Sequence, residues 1–126
     1  MKSKDTDLAY VAGLFDALGC MKIETPKAGE RASLYVWITD KNFKLMEHLQ
    51  RFGATVGQRS DMQYRAKWRD NKALFFLRSI FPALRSKVEQ AKVAIEFMEQ
   101  RNTNPESKDY DVTCRIRLKL LKRAED

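Results

Sequence analysis

Between Asp7 and Thr39 the chain changes its hydrophobic period, and that change limits the possible architectures more than any other feature. Leu8, Val11, Phe15 and Leu18 recur at steps of three and four, which marks one face of a helix running from Asp7 to about Ala17. Thr6 or Asp7 is placed to cap its start, and Gly19 to end it. From Arg31 the period falls to two: Ala32, Leu34, Val36 and Ile38 share one side of a strand, and Arg31, Ser33, Tyr35, Trp37 and Thr39 share the other. Cys20–Thr25 reads as the preceding strand of a hairpin, joined through a Pro26–Gly29 turn. A helix that leads into half-apolar strands predicts an α+β domain with one sheet face covered.

The same order continues downstream. Asp40–Phe52 is expected to be a helix with Phe43, Leu45, Met46 and Leu49 turned inward and Gly53 as its stop. Thr55–Arg59 and Met62–Trp68 form a second hairpin, with turn chemistry at Ser60–Asp61. Along its second strand Gln63, Arg65, Lys67 and Arg69 point one way while Met62, Tyr64, Ala66 and Trp68 point the other, so a basic strand face results. Asn71–Phe81 is a short apolar helix broken at Pro82, and Ala83–Arg101 a long one with Val88, Ala91, Ile95 and Met98 inside. Asn102–Ser107 is a polar connector. In Asp109–Ala124 the apolar residues Val112, Cys114, Ile116, Leu118 and Leu120 alternate with period two, but the length and Lys/Arg/Leu content favour a helix.

Residues 1–126 suit a single domain with one core, given 44% hydrophobic and 33% charged residues. The two cysteines, Cys20 and Cys114, are far apart and make neither a disulfide framework nor a metal-ligand spacing. No apolar run approaches the roughly 20 residues that span a bilayer, and the start is polar, so a soluble, intracellular chain without a membrane partner is expected. Lys and Arg number 24 against 17 Asp and Glu, a net charge of +7. Such a field draws polyanions without saying which. The only histidine, His48, has no second ligand or nucleophile near it in sequence, and there is no phosphate-binding glycine loop, Ser/His/Asp set or Cys/His cluster. No metal site and no cofactor are therefore expected from the residues alone. Ala9, Gly13 and Ala17 give the first helix a row of small side chains beside its apolar face. Glycine costs a helix up to about 1 kcal/mol relative to alanine, so Gly13 predicts close approach of another backbone.

The segment Tyr10-Val11-Ala12-Gly13-Leu14-Phe15-Asp16-Ala17-Leu18-Gly19 resembles the motif that names the LAGLIDADG homing endonucleases. Phe76-Leu77-Arg78, Pro82, Leu84, Lys87, Gln90-Ala91, Val93 and Glu99-Gln100 resemble the C-terminal helices of that family's single-motif, homodimeric, intron-encoded branch. The resemblance implies an αββαββα core with added C-terminal helices. It implies two subunits packed through their motif helices at Ala9, Gly13 and Ala17, and a four-stranded antiparallel saddle in the DNA major groove. Lys22, Glu24, Arg31, Ser33, Tyr35, Trp37, Arg59, Gln63, Arg65, Lys67 and Arg69 would face the DNA. These are the side chains that alternation leaves without a core role.

Leu18 departs from the family. The motif's eighth position carries Asp or Glu there, and that carboxylate binds the Mg²⁺ ions that activate water for hydrolysis. Asp16 matches the earlier acidic position but lies about 200° around the helix from Leu18. Lys87 matches a lysine near the family's cleavage site, and Asp40 falls where that branch has a polar residue that orients water. What remains of a catalytic set is thus Lys87, Asp40 and Asp16. The resemblance implies a sequence-selective duplex-DNA-binding homodimer with cleavage lost or weakened. Two rival expectations stand beside it: a Mg²⁺-dependent endonuclease or nickase that still acts, and an RNA-binding group I intron maturase whose partner is intron RNA.

Overall fold

The computed structural model describes residues 2–27, 30–59, 62–104 and 108–125. Helix α1 (Lys2–Leu18) starts ahead of its apolar stripe, so Thr6 and Asp7 lie inside it and are not its caps. Its buried residues are Val11, Ala12 and Phe15; of the expected face, Leu8 is only partly buried and Leu18, at the helix end, is exposed. Strand β1 (Gly19–Glu24) begins where the helix ends. Gly19 is a glycine for lack of space, since a Cβ there would overlap the Phe15 ring.

Strand β2 (Ser33–Asp40) pairs with β1, and strands β3 (Thr55–Gln58) and β4 (Tyr64–Arg69) form the second hairpin. The sheet is antiparallel throughout, in the order β1-β2-β4-β3. One face is sealed by Met21, Ile23, Leu34, Val36, Ile38, Ala66 and Trp68 against the helices. Trp68 stacks flat on Phe76, ring centroids 3.7 Å apart, and its indole N–H donates to the Phe52 carbonyl at 2.9 Å. A buried tryptophan thus keeps its polar atom satisfied. Met62, expected beside these residues, is exposed at φ 66°, because the inward alternation starts only at Tyr64. The turn expected at Ser60–Asp61 lies outside the described residues.

Helix α2 (Phe43–Gln50) is shorter than its predicted span because Asn42 caps it, its Oδ1 accepting the Leu45 N–H at 3.2 Å. Asp40 remains in the strand, and Phe43 lies at the exposed first turn rather than inside. Gly53 adopts φ +91° after the helix, the left-handed conformation glycine permits. Helix α3 (Asn71–Ile80) runs into a 3-10 turn at Phe81–Ala83 that contains Pro82.

Helix α4 (Val88–Thr103) starts later than the sequence suggested, because residues 85–87 are held outside the helix by Asp16. Its buried residues are Gln90, Ala91, Val93, Ala94, Phe97 and Met98, while Val88 and Ile95 are only half-buried. A single stripe does not describe a helix packed between α3 and the last helix, α5 (Lys108–Glu125). The helical reading of the final segment holds. Its period-two pattern is incidental: Asp111, Cys114 and Leu118 face inward, while Val112, Ile116 and Leu120 are exposed. Burial raises the Cys114 thiol above its ordinary pKa, so it stays protonated and packs as a small apolar group. Among the described residues no helix is long and apolar enough to cross a membrane.

Candidate nucleic-acid interface

The helices cover one sheet face, and alternation puts the remaining side chains on the other. The register aligns them in rungs: Lys22 beside Tyr35 beside Arg69, then Cys20, Trp37, Lys67 and Thr55, then Thr39, Arg65 and Gly57. Five of the predicted residues, Lys22, Tyr35, Arg69, Trp37 and Lys67, thus fall on two adjacent rungs. The Arg65 guanidinium lies 5.1 Å from the centre of the Trp37 ring, and that of Arg69 is 5.1 Å from the Tyr35 ring. Lys22 bridges to Glu24 at 3.0 Å in an exposed pair, which is worth at most about 1 kcal/mol and yields readily to a stronger anion. Arg59 closes the second hairpin through its backbone N–H, which donates to the Gln63 carbonyl at 2.6 Å, and its side chain is exposed. A cavity of about 400 Å³ opens among Tyr35, Trp37, Arg65, Lys67 and Arg69. The surface therefore offers cations on aromatic plates, with donors suited to phosphate and to base edges.

Two predicted members are placed elsewhere. Arg31 precedes β2, and its guanidinium forms a two-pronged pair with Asp111 of α5, both bonds 2.8 Å, with side chains only 16% and 7% exposed. Ser33 points to the outer side yet is buried, since Arg69 and Asp70 cover it. Its hydroxyl accepts from Arg69 Nη2 at 3.3 Å and donates to Asp70 Oδ2 at 3.4 Å. No pattern in the sequence singles out Asp70. It sits at φ 54°, ψ −119°, a backbone region that costs a non-glycine residue about 1–3 kcal/mol. The strain is held by several bonds at once. Asp70 Oδ1 accepts the Leu34 N–H at 3.0 Å, its own N–H reaches the Leu34 carbonyl at 2.9 Å, and Arg69 and Arg101 lie at 3.5 and 3.4 Å from its carboxylate.

At the end of α1 the structure brings Asp16 and Lys87 together. Asp16 Oδ2 accepts the Arg85 N–H at 2.8 Å, and Oδ1 accepts those of Ser86 and Lys87 at 3.2 and 3.0 Å. The carboxylate caps the approach to α4, with both oxygens occupied. Lys87 Nζ donates to the Asp16 carbonyl at 3.1 Å. These residues line a cavity of about 500 Å³ with Gly19, Cys20, Gln90 and Lys122. Lys122 is the surprise there: it comes from α5 and donates to the Met21 carbonyl at 3.0 Å. Asp40 is not among the lining residues; its Oδ2 accepts the Asn42 N–H at 3.2 Å, at the entry to α2. Leu18 is 41% exposed at the helix end. A hard divalent cation takes six or more oxygen ligands. An apolar Leu18 and an Asp16 saturated by amides do not fit it, and among the described residues no group of three His, Cys, Asp or Glu could hold a metal.

The exposed part of α1 carries Ala9, Gly13 and Ala17, together with Tyr10. A Cβ on Gly13 would meet nothing within 4 Å. The chain's own packing therefore gives no reason for glycine at that position.

No protein-family model matches the sequence, and no curated protein matches it. Solved structures do resemble the fold. The homing endonuclease I-CvuI, in complex with a DNA target, superposes with a TM-score of 0.82 at 19% identity, over 94% of this chain and 83% of that one. An archaeal intron-encoded homing endonuclease complexed with DNA gives 0.78 at 15% identity, over 97% and 85%. The LAGLIDADG homing endonuclease I-GzeII, in complex with its DNA target, gives 0.66 at 19% identity, over 85% of this chain but only 40% of that one. Helix order, the antiparallel four-stranded sheet and these superpositions agree: the chain has the LAGLIDADG homing-endonuclease fold.

Proposed function

We propose that this protein is a sequence-selective duplex-DNA-binding member of the LAGLIDADG homing endonucleases that acts as a homodimer and has lost or nearly lost cleavage. The observation that carries the reading is the exposed sheet face, where Arg65, Lys67 and Arg69 stand among Tyr35 and Trp37. The superposed structures above hold DNA, which supports the same partner here. Binding of a duplex to the purified protein, measured by fluorescence anisotropy and competed with folded intron RNA, tests it. Preference for the RNA would replace this reading with the maturase one.

Dimerisation is supported by the unpartnered small-residue face of α1, because helices approach to the short end of the 8–10 Å range only over small side chains. Gly13→Leu is expected to fold, since a Cβ there meets nothing within 4 Å, and to sediment as a monomer. An unchanged sedimentation coefficient would move the contact off α1.

Loss of cleavage follows from Leu18 and from the engagement of Asp16. No double-strand cutting is expected with Mg²⁺, and Leu18→Asp is expected to recover some. Robust cutting of a selected target by the unaltered protein would refute the claim of lost catalysis.

A further inference from the structure

We propose that Arg65 and Arg69 are the base-reading residues of the sheet, each selecting one guanine, with the two guanines about four base pairs apart and Asp70 acting as a positioning residue for Arg69. The inference rests on the duplex-DNA reading above and adds which residues choose sequence, which base they choose and at what spacing.

The argument starts from where the arginines stand. Both are on β4, which with β2 forms the inner pair of the sheet. Strands lie about 4.8 Å apart, and a major groove about 12 Å wide admits a two-stranded ribbon. The inner pair therefore meets the groove floor, where the base edges are. Residues on β1 and β3 face the phosphate walls, and from β4 only a long side chain left unheld, such as Lys67, reaches them.

The two arginines are also held, which ordinary surface arginines are not. Arg65 Nε donates to Thr39 Oγ1 at 3.4 Å, and its guanidinium stacks on Trp37. This leaves both Nη groups without a partner among the described residues. Arg69 stacks on Tyr35, bonds Ser33 Oγ and lies beside the Asp70 carboxylate, with outer hydrogens of Nη1 and Nη2 still available. A planar fork fixed from behind has two parallel donors aimed outward, which is the pattern guanine O6 and N7 accept. Phosphate accepts from any direction and needs no such fixing. Lys67, between them, has no partner among the described residues and suits phosphate as a mobile point charge. The strain at Asp70 then has a use. That backbone conformation brings one carboxylate to Arg69, Ser33 and the Leu34 amide together, which biases the fork toward this orientation.

Spacing follows from two repeats. Four residues along a strand span about 13 Å at about 3.3 Å each, and stacked base pairs are about 3.4 Å apart. A strand lying along the groove thus sets its two forks over base pairs about four steps apart.

The test is selection of bound duplexes from a randomised pool by the full chain, followed by affinity measurements on every single-base change in the selected site. The expected result is two guanine positions per copy of the chain, about four base pairs apart, each preferred about 5- to 150-fold over other bases. Arg65→Lys should flatten one position and Arg69→Lys the other, with the salt dependence unchanged because charge is kept. Asp70→Asn retains an acceptor for the Leu34 amide and should flatten the Arg69 position only; a merely structural effect would weaken all positions alike. Selected sites lacking the guanine pair, or lysine variants that lower affinity uniformly across sequences, would overturn this inference and leave DNA binding standing. Failure to enrich any duplex at low salt would overturn both.

Discussion

Duplex binding by this protein is expected to weaken about a thousandfold between roughly 50 and 200 mM salt. Each Lys or Arg that neutralises a phosphate releases condensed counterions, and the logarithm of affinity then falls with log salt by about 0.9 per contact. If Arg65 and Arg69 meet bases, the remaining cations of the described sheet face and its hairpin are Lys22, Arg59 and Lys67. In the proposed dimer they make about six contacts and a slope near −5, which over a fourfold rise in salt gives about three orders of magnitude. Anisotropy titrations at several salt concentrations measure the slope directly. A slope shallower than about −2 would mean that the basic sheet face does not carry the binding.

Removing Asp111 should be severely destabilising. Its carboxylate holds Arg31 through two 2.8 Å bonds and also accepts the Ala32 N–H at 3.4 Å. Taking one member from a buried pair strands the other charge, at a cost of about 3–5 kcal/mol. For 126 residues the unfolding entropy converts that to a fall in Tm of roughly 10–20 °C for Asp111→Ala. The double change Arg31→Met with Asp111→Leu should regain much of the loss, because an apolar pair of similar volume removes the desolvation cost along with the attraction. Thermal unfolding followed by circular dichroism separates the cases. A double variant no more stable than the single one would show that the anchoring depends on the ion pair itself and not on filled volume.

Arg31 also shows where reading the sequence reaches its limit. Alternation gives the side of a strand on which a residue falls, and for Tyr35, Trp37, Arg65, Lys67 and Arg69 that side is solvent, as expected. It does not tell what arrives from a distant part of the chain. Arg31 meets Asp111, eighty positions later, and Ser33 is roofed by Asp70. Both were expected to face outward for the same reason, and both are taken by partners that no local period reveals. Asp16 is a similar case. The motif singles it out as acidic, but three amides from residues 85–87 decide what it does, and they also shorten α4. Helix α1 and strand β2 were legible because each has one buried face and a clean period. The faces of α4 and α5 were not, because α4 is packed on two sides and α5 carries apolar residues on its exposed side as well.

The anchoring of α5 bears on how the chain reaches its final form. The helix is tied to the start of β2 through Asp111 and to β1 through Lys122, contacts that span 80 and 101 positions. Contacts that distant close large loops, and their entropic cost is met only after most of the chain has ordered. During synthesis the first hairpin emerges long before the helix that covers it, and one flank of β1 stays bare until the last turns of α5 leave the ribosome. Refolding should therefore be slower than the helix content alone suggests, with protection of the Ala32 amide, which bonds Asp111, against hydrogen exchange among the last to appear.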